Sequence, residues 1–259
     1  MSEDLKLDEK LKKIKRLLKN SKAAYALTGA GISTESGIAD FRSPKSGLWQ
    51  KVNPEEVSSI RAFEENPAVF YQFWYERYKT LRSASPNITH YFLAKLEKKG
   101  LIKGVITQNI DSLHQKASSS KVLECHGSFK YGHCYRCKKK YLMKDIFEKY
   151  EKRGDFACEE CKAPIKPDVV LFGEGLTSDF EKAWQRIEKE CDLLFVLGTS
   201  LLVYPVADLA SIAKGRGAKL IIINRDPTPC DDDADVVIHN ELHEVISRLD
   251  TLVFSRGAA

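Results

Sequence analysis

The chain has 259 residues, 43% of them hydrophobic, which suffices for one large core or for a main domain carrying a smaller one. Its net charge of +5 arises from 41 basic and 36 acidic residues mixed along the sequence, with one denser basic patch at Lys10 to Lys19. No apolar run approaches the roughly 18 residues a membrane helix needs, and Met1-Ser2-Glu3-Asp4 opens no signal-peptide core, so a cytoplasmic location is expected.

In chain order, Leu5, Leu11, Ile14, Leu17 and Leu18 recur at helical intervals among lysines, which predicts an amphipathic helix over 5–19. Its lysines read as a solvated face; no aromatics are interleaved to suggest nucleic acid. Ala23 to Leu27 then reads as a strand running into Thr28-Gly29-Ala30-Gly31-Ile32-Ser33. A glycine turn between strand and helix lets a backbone approach a pyrophosphate and aims unpaired N–H groups at it. The dinucleotide fingerprint G-x-G-x-x-G is incomplete, because Thr34 stands at the third glycine and no strand-end acid follows about twenty residues on. Alone, the motif does not separate a nucleotide site from an ordinary glycine-rich connection.

Glu35 to Trp49 lacks periodicity and reads as a loop of the kind that serves as a lid. Residues 54–82 read as helical, with aromatics crowded from Phe63 to Tyr78, and Thr89 to Lys99 forms a further helix stopped by Gly100. Strand patterns follow at 104–107, 121–125, 169–172, 193–197, 219–223 and 235–238. Several are continuous apolar runs separated by long connections, as in a parallel sheet buried on both faces. The expected class is therefore α/β, a doubly wound, Rossmann-like sheet, with ligands at the carboxyl ends of its strands.

Four of seven cysteines form two identical pairs, Cys134-x-x-Cys137 and Cys158-x-x-Cys161. Two such knuckles suit one tetrahedral Zn²⁺, and four thiolates close the site, so the zinc is read as structural. Cys125, Cys191 and Cys230 carry no metal spacing. The pairs lie in an insert over about 127–168, too rich in Lys and Cys for the central sheet. The expected organisation is a nucleotide-binding domain over 1–36, 84–126 and 169–259, with a small domain over 37–83 and 127–168 that combines a helical lid and the zinc module.

Taken together and in order, Gly29-Ala30-Gly31-Ile32-Ser33, Ser36-Gly37-Ile38, Asp40-Phe41-Arg42, Thr107-Gln108-Asn109-Ile110-Asp111-x-Leu113-His114, His126-Gly127-Ser128, the cysteine pairs, Phe172-Gly173-Glu174 and Gly198-Thr199-Ser200 resemble the sirtuins, NAD-dependent protein-lysine deacylases. The resemblance spans about Ala23 to Asp226 and looks like a catalytic core without extensions. It implies that Gly29, Ala30, Gly31 and Thr34, with Gly198, Thr199 and Ser200, hold the phosphates and ribose of NAD. Asn224, Arg225 and Asp226 would take the adenosine end, and Phe41 and Arg42 would close over the cofactor from the loop. Gln108, Asn109, Ile110 and Asp111 would line the nicotinamide pocket.

The resemblance further implies that Asn109 and His126 are catalytic. The acyl-lysine oxygen attacks the ribose carbon as nicotinamide leaves, and His126 takes a proton from a ribose hydroxyl, which an imidazole can do at neutral pH. The products are deacylated lysine, nicotinamide and an O-acyl-ADP-ribose. An acylated peptide would lie between Phe172-Gly173-Glu174 and Val203-Tyr204 as an added strand. His114 and His133 are read as structural. Ala39 stands where these proteins usually have proline, and Ser118 where glycine is common.

Acyl selectivity is expected to turn on Trp74 and Arg77. Members that prefer succinyl- or malonyl-lysine carry a Tyr-x-x-Arg pair here; this chain keeps the arginine and replaces the tyrosine by Trp74. Deacetylation is the preferred reading, with desuccinylation, demalonylation or long-chain deacylation as alternatives in the same family. An NAD-linked oxidoreductase and a zinc-ribbon nucleic-acid-binding protein are the rivals from other classes. No membrane or obligate nucleic-acid partner is expected.

Overall fold

The computed structural model describes residues 3–40, 47–48 and 52–255. The N-terminal apolar stripe forms α1 (Glu3–Asn20), with Leu11, Ile14 and Leu18 buried. Two of its lysines do more than solvate a face: Lys10 and Lys13 donate Nζ–H groups to the carbonyls of Val237 and Asp235, each at 2.7 Å.

β1 (Ala24–Thr28) enters the glycine turn, which continues as a 3-10 helix over Ala30–Ser36. The single helical stretch expected over 54–82 is three helices: α2 (Pro54–Val57), α3 (Ile60–Glu65) and α4 (Pro67–Ser83). Capping chemistry makes the breaks. Ser59 accepts the N–H of Ala62, and Asn66 accepts that of Val69 with Pro67 in the first turn, so each polar residue restarts a helix. α5 (Ile88–Lys98) ends before Gly100, whose φ of 71° confirms the stop expected there.

β2 (Gly104–Thr107), α6 (Leu113–Lys116) and β3 (Val122–Glu124) complete one half of the main sheet. Next come β4 (Gly127–Cys134), β5 (Lys140–Leu142), α7 (Met143–Arg153) and β6 (Ile165–Val169). The other half follows as α8 (Ser178–Lys189), β7 (Leu193–Leu197), α9 (Asp208–Gly215), β8 (Lys219–Ile223), β9 (Val236–Ile238) and α10 (Leu242–Phe254).

The main sheet has six parallel strands in the order β3-β2-β1-β7-β8-β9. Alternation along β1 shows why both faces must be covered. Ala24 and Ala26 pack with Leu11, Phe92, Leu96 and Ile246 on one face, while Tyr25 and Leu27 pack with Ile187, Leu209 and Ala213 on the other. From β1 the chain builds outward to β2 and β3, then returns to place β7 on β1's other side, so the strand order reverses between β1 and β7. Ligand crevices in open α/β sheets form at such a switch point.

The expected strand at 169–172 does not join this sheet. The run shifts to β6, which ends at Val169 and pairs antiparallel with β4 in a separate sheet ordered β5-β4-β6. A third apolar cluster surrounds that sheet, joining Phe70, Trp74 and Tyr78 of α4 to Phe129, Phe147 and Ile165, with buried Cys134 and Cys158 among them. Ser118, at the position where glycine is common, has a φ of 75°. That is a conformation which costs an L residue about 1–2 kcal/mol.

Candidate active site

Above the carboxyl ends of β1 and β7 lies one cavity of about 1120 Å³. Every sequence-predicted nucleotide or substrate residue among the described residues lines it: the Gly29 turn with Thr34, the 108–111 segment, His126, Gly198 to Ser200, Asn224 to Asp226, Trp74, Arg77, Phe172 to Glu174, and Val203 with Tyr204. Phe41 and Arg42 lie outside the described residues.

The glycines have a second reason to be there. A Cβ on Gly31 would fall 2.8 Å from the carbonyl oxygen of Gly198, and one on Gly198 would fall 2.5 Å from the nitrogen of Ile32. The turns after β1 and β7 are thus packed backbone to backbone, and the Gly31 N–H donates to the Gly198 carbonyl at 2.8 Å. Close packing of two turns, as well as approach to a phosphate, demands the missing side chains.

At the foot of the cavity, Asn109 donates Nδ2–H to the carbonyl of Gly29 and to the hydroxyl of Ser33, both at 3.1 Å. Ser33 donates in turn to Asp111 at 2.7 Å, whose other oxygen accepts the Leu113 N–H at 2.9 Å. Asn109, Ser33 and Asp111 are all buried. Burial pushes the Asp111 carboxyl upward, against the opposing pull of its bonds from Leu113 and Ser33. Ser33 was not singled out as a site residue, although it closes the quoted glycine motif; it joins the two polar side chains that were.

Half-buried His126 stands at the end of the β3 segment, its Nδ1 3.0 Å from the carbonyl of Gln108. A carbonyl only accepts, so Nδ1 carries the hydrogen and the neutral ring holds its basic lone pair on Nε2. Gln108 is fixed in turn, donating Nε2–H to Thr199 at 3.0 Å. Hence β2, β3 and β7 all contribute to the placing of one imidazole.

Arg77 is 9% exposed, so it does not point to solvent as most helix arginines do. Burial lowers its pKa and the nearby Asp111 charge opposes that shift. One turn earlier, Trp74 stacks on Phe129 with centroids 5.1 Å apart, and its Nε1–H is buried with no partner among the described residues. On the opposite rim the backbone of Phe172 is already used. Its N–H donates to Ser58 at 3.0 Å and its carbonyl accepts from Ile60 at 2.9 Å. Glu174 turns inward as a brace, accepting from the Leu171 N–H at 3.0 Å and pairing with Lys166 at 2.9 Å. Phe172 and Tyr204 remain exposed at the mouth.

The sulfurs of Cys134, Cys137, Cys158 and Cys161 all lie within 4.8 Å of one another. Zn–S bonds of about 2.3 Å in a tetrahedron require S···S separations of about 3.8 Å, so the donor set fits one zinc ion. The Tyr141 hydroxyl, 3.1 Å from the Cys158 sulfur, favours its thiolate and brings that thiol down to about 6. Second-sphere donors of this kind orient a ligand before metal arrives. The cluster lines no part of the cavity, which fits a structural ion.

A family model described as the Sir2 family matches residues 29–205. An NAD-dependent protein deacetylase of Sulfolobus acidocaldarius is 45% identical over 250 residues, covering 95% of this chain and 98% of that protein. NAD-dependent protein deacylase 2 of Archaeoglobus fulgidus is 44% identical over 246 residues, covering 94% of this chain and 96% of its own length. A solved structure of Sir2 with a p53 peptide and NAD+ is similar with a TM-score of 0.86 at 42% identity, covering 92% of this chain and 96% of that one.

Proposed function

The chain belongs to the Sir2 family, and from that premise we propose that it is an NAD-dependent deacylase that removes acetyl groups from lysine side chains of proteins or peptides. Nicotinamide and O-acetyl-ADP-ribose are the accompanying products. The observation that carries this reading is one cavity joining the glycine turns, the buried Asn109–Ser33–Asp111 chain and an imidazole of defined tautomer.

When bound, NAD supplies an electrophilic ribose carbon with nicotinamide as its leaving group. The protein's own part begins with the turns of Gly29 to Gly31 and Gly198 to Ser200, which with Thr34 hold the phosphates and ribose, while Asn224, Arg225 and Asp226 hold the adenosine end. Gln108, Ile110 and Asp111 shape the nicotinamide pocket and Asn109 orients the reacting groups. His126, with Nδ1–H committed to Gln108, accepts a proton from a ribose hydroxyl at Nε2. Phe41 and Arg42, which lie outside the described residues, would exclude water as the family resemblance implies. Since the Phe172 backbone is engaged, Gly173, Val203 and Tyr204 give the main-chain contacts to the peptide, and Glu174 keeps that rim in shape.

The organisation we propose is a nucleotide-binding unit over 1–36, 84–126 and 169–259 with a small unit over 37–83 and 127–168, the latter held by one structural zinc. A cytoplasmic location is part of the same reading, supported by cysteines paired for metal and not for disulfides. No helix among the described residues is long and apolar enough to cross a membrane.

A second reading concerns the acyl group. The buried Arg77 guanidinium and the unpartnered Trp74 indole N–H, one turn apart beside the cavity, suit an acyl chain ending in a carboxylate. One experiment tests both readings: kcat/KM on a single peptide bearing acetyl-, succinyl- or long-chain acyl-lysine, with and without NAD, for the parent and Arg77→Met. Deacetylation that requires NAD and exceeds desuccinylation is expected, with any desuccinylation falling about tenfold or more in Arg77→Met. Deacylation without NAD would overturn the first reading; succinyl turnover indifferent to Arg77→Met would overturn the second.

A further inference from the structure

Residues 224–235 leave the carboxyl end of β8 and return to the start of β9, with Asn224, Arg225, Asp226 and Pro227 lining the cavity. What sets this loop's conformation is a short chain of hydrogen bonds. Asn224 donates its N–H to the Ile238 carbonyl at 3.2 Å and its Nδ2–H to the Asp226 carbonyl at 2.7 Å. Its own carbonyl faces Nδ1 of His239 at 3.1 Å, just past the end of β9. On the ring's other side, Nε2 lies 3.0 Å from Oδ2 of Asp231. Asp231 also accepts the Thr228 N–H at 3.0 Å and the Thr228 hydroxyl at 2.7 Å.

We propose that His239 is a positioning residue for the adenosine end of the NAD site and acts there as an imidazolium, an inference that rests on the reading of this cavity as an NAD site. The reason is a donor count. Asn224 offers a carbonyl oxygen and Asp231 a carboxylate oxygen, and neither carries a hydrogen, so both ring nitrogens must donate. Only the protonated ring has two N–H groups. When the proton is lost, one bond gives way: either a bare Nδ1 confronts the Asn224 carbonyl, or a bare Nε2 confronts the Asp231 carboxylate. Each case frees one end of the loop that presents Asn224 and Asp226 to the cofactor.

Acidic side chains crowd the loop side of His239. Asp231 faces it directly, with Asp232 and Asp233 exposed on the same loop. Arg225 pairs with Asp226 at 3.2 Å and with Glu241 at 4.0 Å. From α1, Lys10 is committed to the Val237 carbonyl, and Asp235 is committed to Lys214 and Lys219. His239 and His126 therefore make opposite demands of the same solution: the first holds the cofactor loop while protonated, the second accepts a proton while neutral. The affinity for NAD should weaken with rising pH while the chemical step quickens.

Calorimetric titration of the zinc-loaded full chain with NAD between about pH 6 and about pH 8.5, where imidazoles titrate, tests this. The parent's Kd should rise about three- to tenfold across that range, a factor set by about one hydrogen bond. His239→Ala should bind at the weaker level throughout, with kcat at saturating NAD within about twofold of the parent and KM for peptide unchanged. His239→Arg, which keeps donors and has no proton to lose, should retain tight binding with a flat pH profile. Imidazole nitrogen NMR should show both ring nitrogens of His239 protonated at the acid end. A His239→Ala protein with the parent's Kd and pH slope, or a neutral ring throughout, would overturn the proposal. A parent that binds no NAD at any pH would overturn the NAD reading along with it.

Discussion

His126 gives the clearest residue-level expectation, because its Nδ1–H is spent on the Gln108 carbonyl, which puts the neutral ring's basic lone pair on Nε2, the atom proposed as the base. His126→Ala should lower kcat by at least about a hundredfold, the usual worth of general-base catalysis, and leave NAD affinity and Tm close to the parent's. In the parent, kcat should fall on the acid side as the imidazole protonates. Deacylation by His126→Ala at the parent rate would exclude this role. Position 126 was legible in the sequence, since a histidine at a strand end followed by glycine is poorly explained by packing. Less of its surroundings was. Ser33 is one hydroxyl in a small-residue motif, and only folding shows it bridging Asn109 to Asp111. Glu174 lines the cavity as expected, and its carboxylate also braces its own turn through Lys166, which a rim motif does not reveal. His239 escaped notice because β9 is short and the residues after it carry no motif, although they too stand at a strand's carboxyl end.

Among elements, the packing of α5 against α6 has a consequence for acid stability. His90 and His114 are buried with ring centroids 5.1 Å apart, His114 bonding Thr28 at 3.0 Å at the end of β1. The outer nitrogens, Nε2 of His90 and Nδ1 of His114, have no partner among the described residues. Burial pushes the two imidazoles down to about 4 and about 3. In the unfolded chain both protonate near 6.5, so unfolding takes up protons below that pH. The stability these residues lend is complete above about pH 6.5 and is lost as pH falls from there toward about 4. At pH 5 the loss should be about 2 kcal/mol per histidine, or several degrees in Tm relative to pH 7.5. Thermal melts of the parent and of a His90→Gln, His114→Gln protein check this, the variant being the less pH-sensitive. Equal parent Tm at both pH values would contradict it. Carboxylates such as Asp235, held down to about 2, act only in a more acid range. Element boundaries were less legible than element types. The 54–82 stretch carries one helical pattern, and its breaks depend on whether Ser59 and Asn66 turn their side chains back to cap. The apolar 169–172 run was assigned to the main sheet because periodicity cannot say which sheet a strand joins. Antiparallel pairing with β4, across the cysteine knuckles, decided that.

At the scale of the molecule, the cysteine cluster and the aromatic cluster share one interior. Buried Cys134 and Cys158 pack in the same apolar group as Trp74, Phe129 and Phe147, and Trp74 and Arg77 of α4 also line the cavity. Freshly purified, reduced protein should contain about one zinc per chain. Chelation should loosen the β5-β4-β6 sheet first and reduce activity through α4, while NAD affinity falls less. No zinc in the reduced protein, or full activity after its removal, would contradict the structural role. The doubly wound class was legible because continuous apolar runs imply a sheet covered on both faces, and the zinc module because its spacing matches a tetrahedral ion. The reversal between β1 and β7, which creates the crevice, lies in strand order, which local patterns do not encode.

The central claim is that the acyl group passes to ADP-ribose, and following that group tests it most directly. A peptide with isotope-labelled acetyl-lysine, the zinc-loaded enzyme and NAD should yield one nicotinamide per lysine freed, with the label first appearing in O-acetyl-ADP-ribose. Label released at once as free acetate, lysine freed without nicotinamide, or conversion of NAD to NADH would contradict the account.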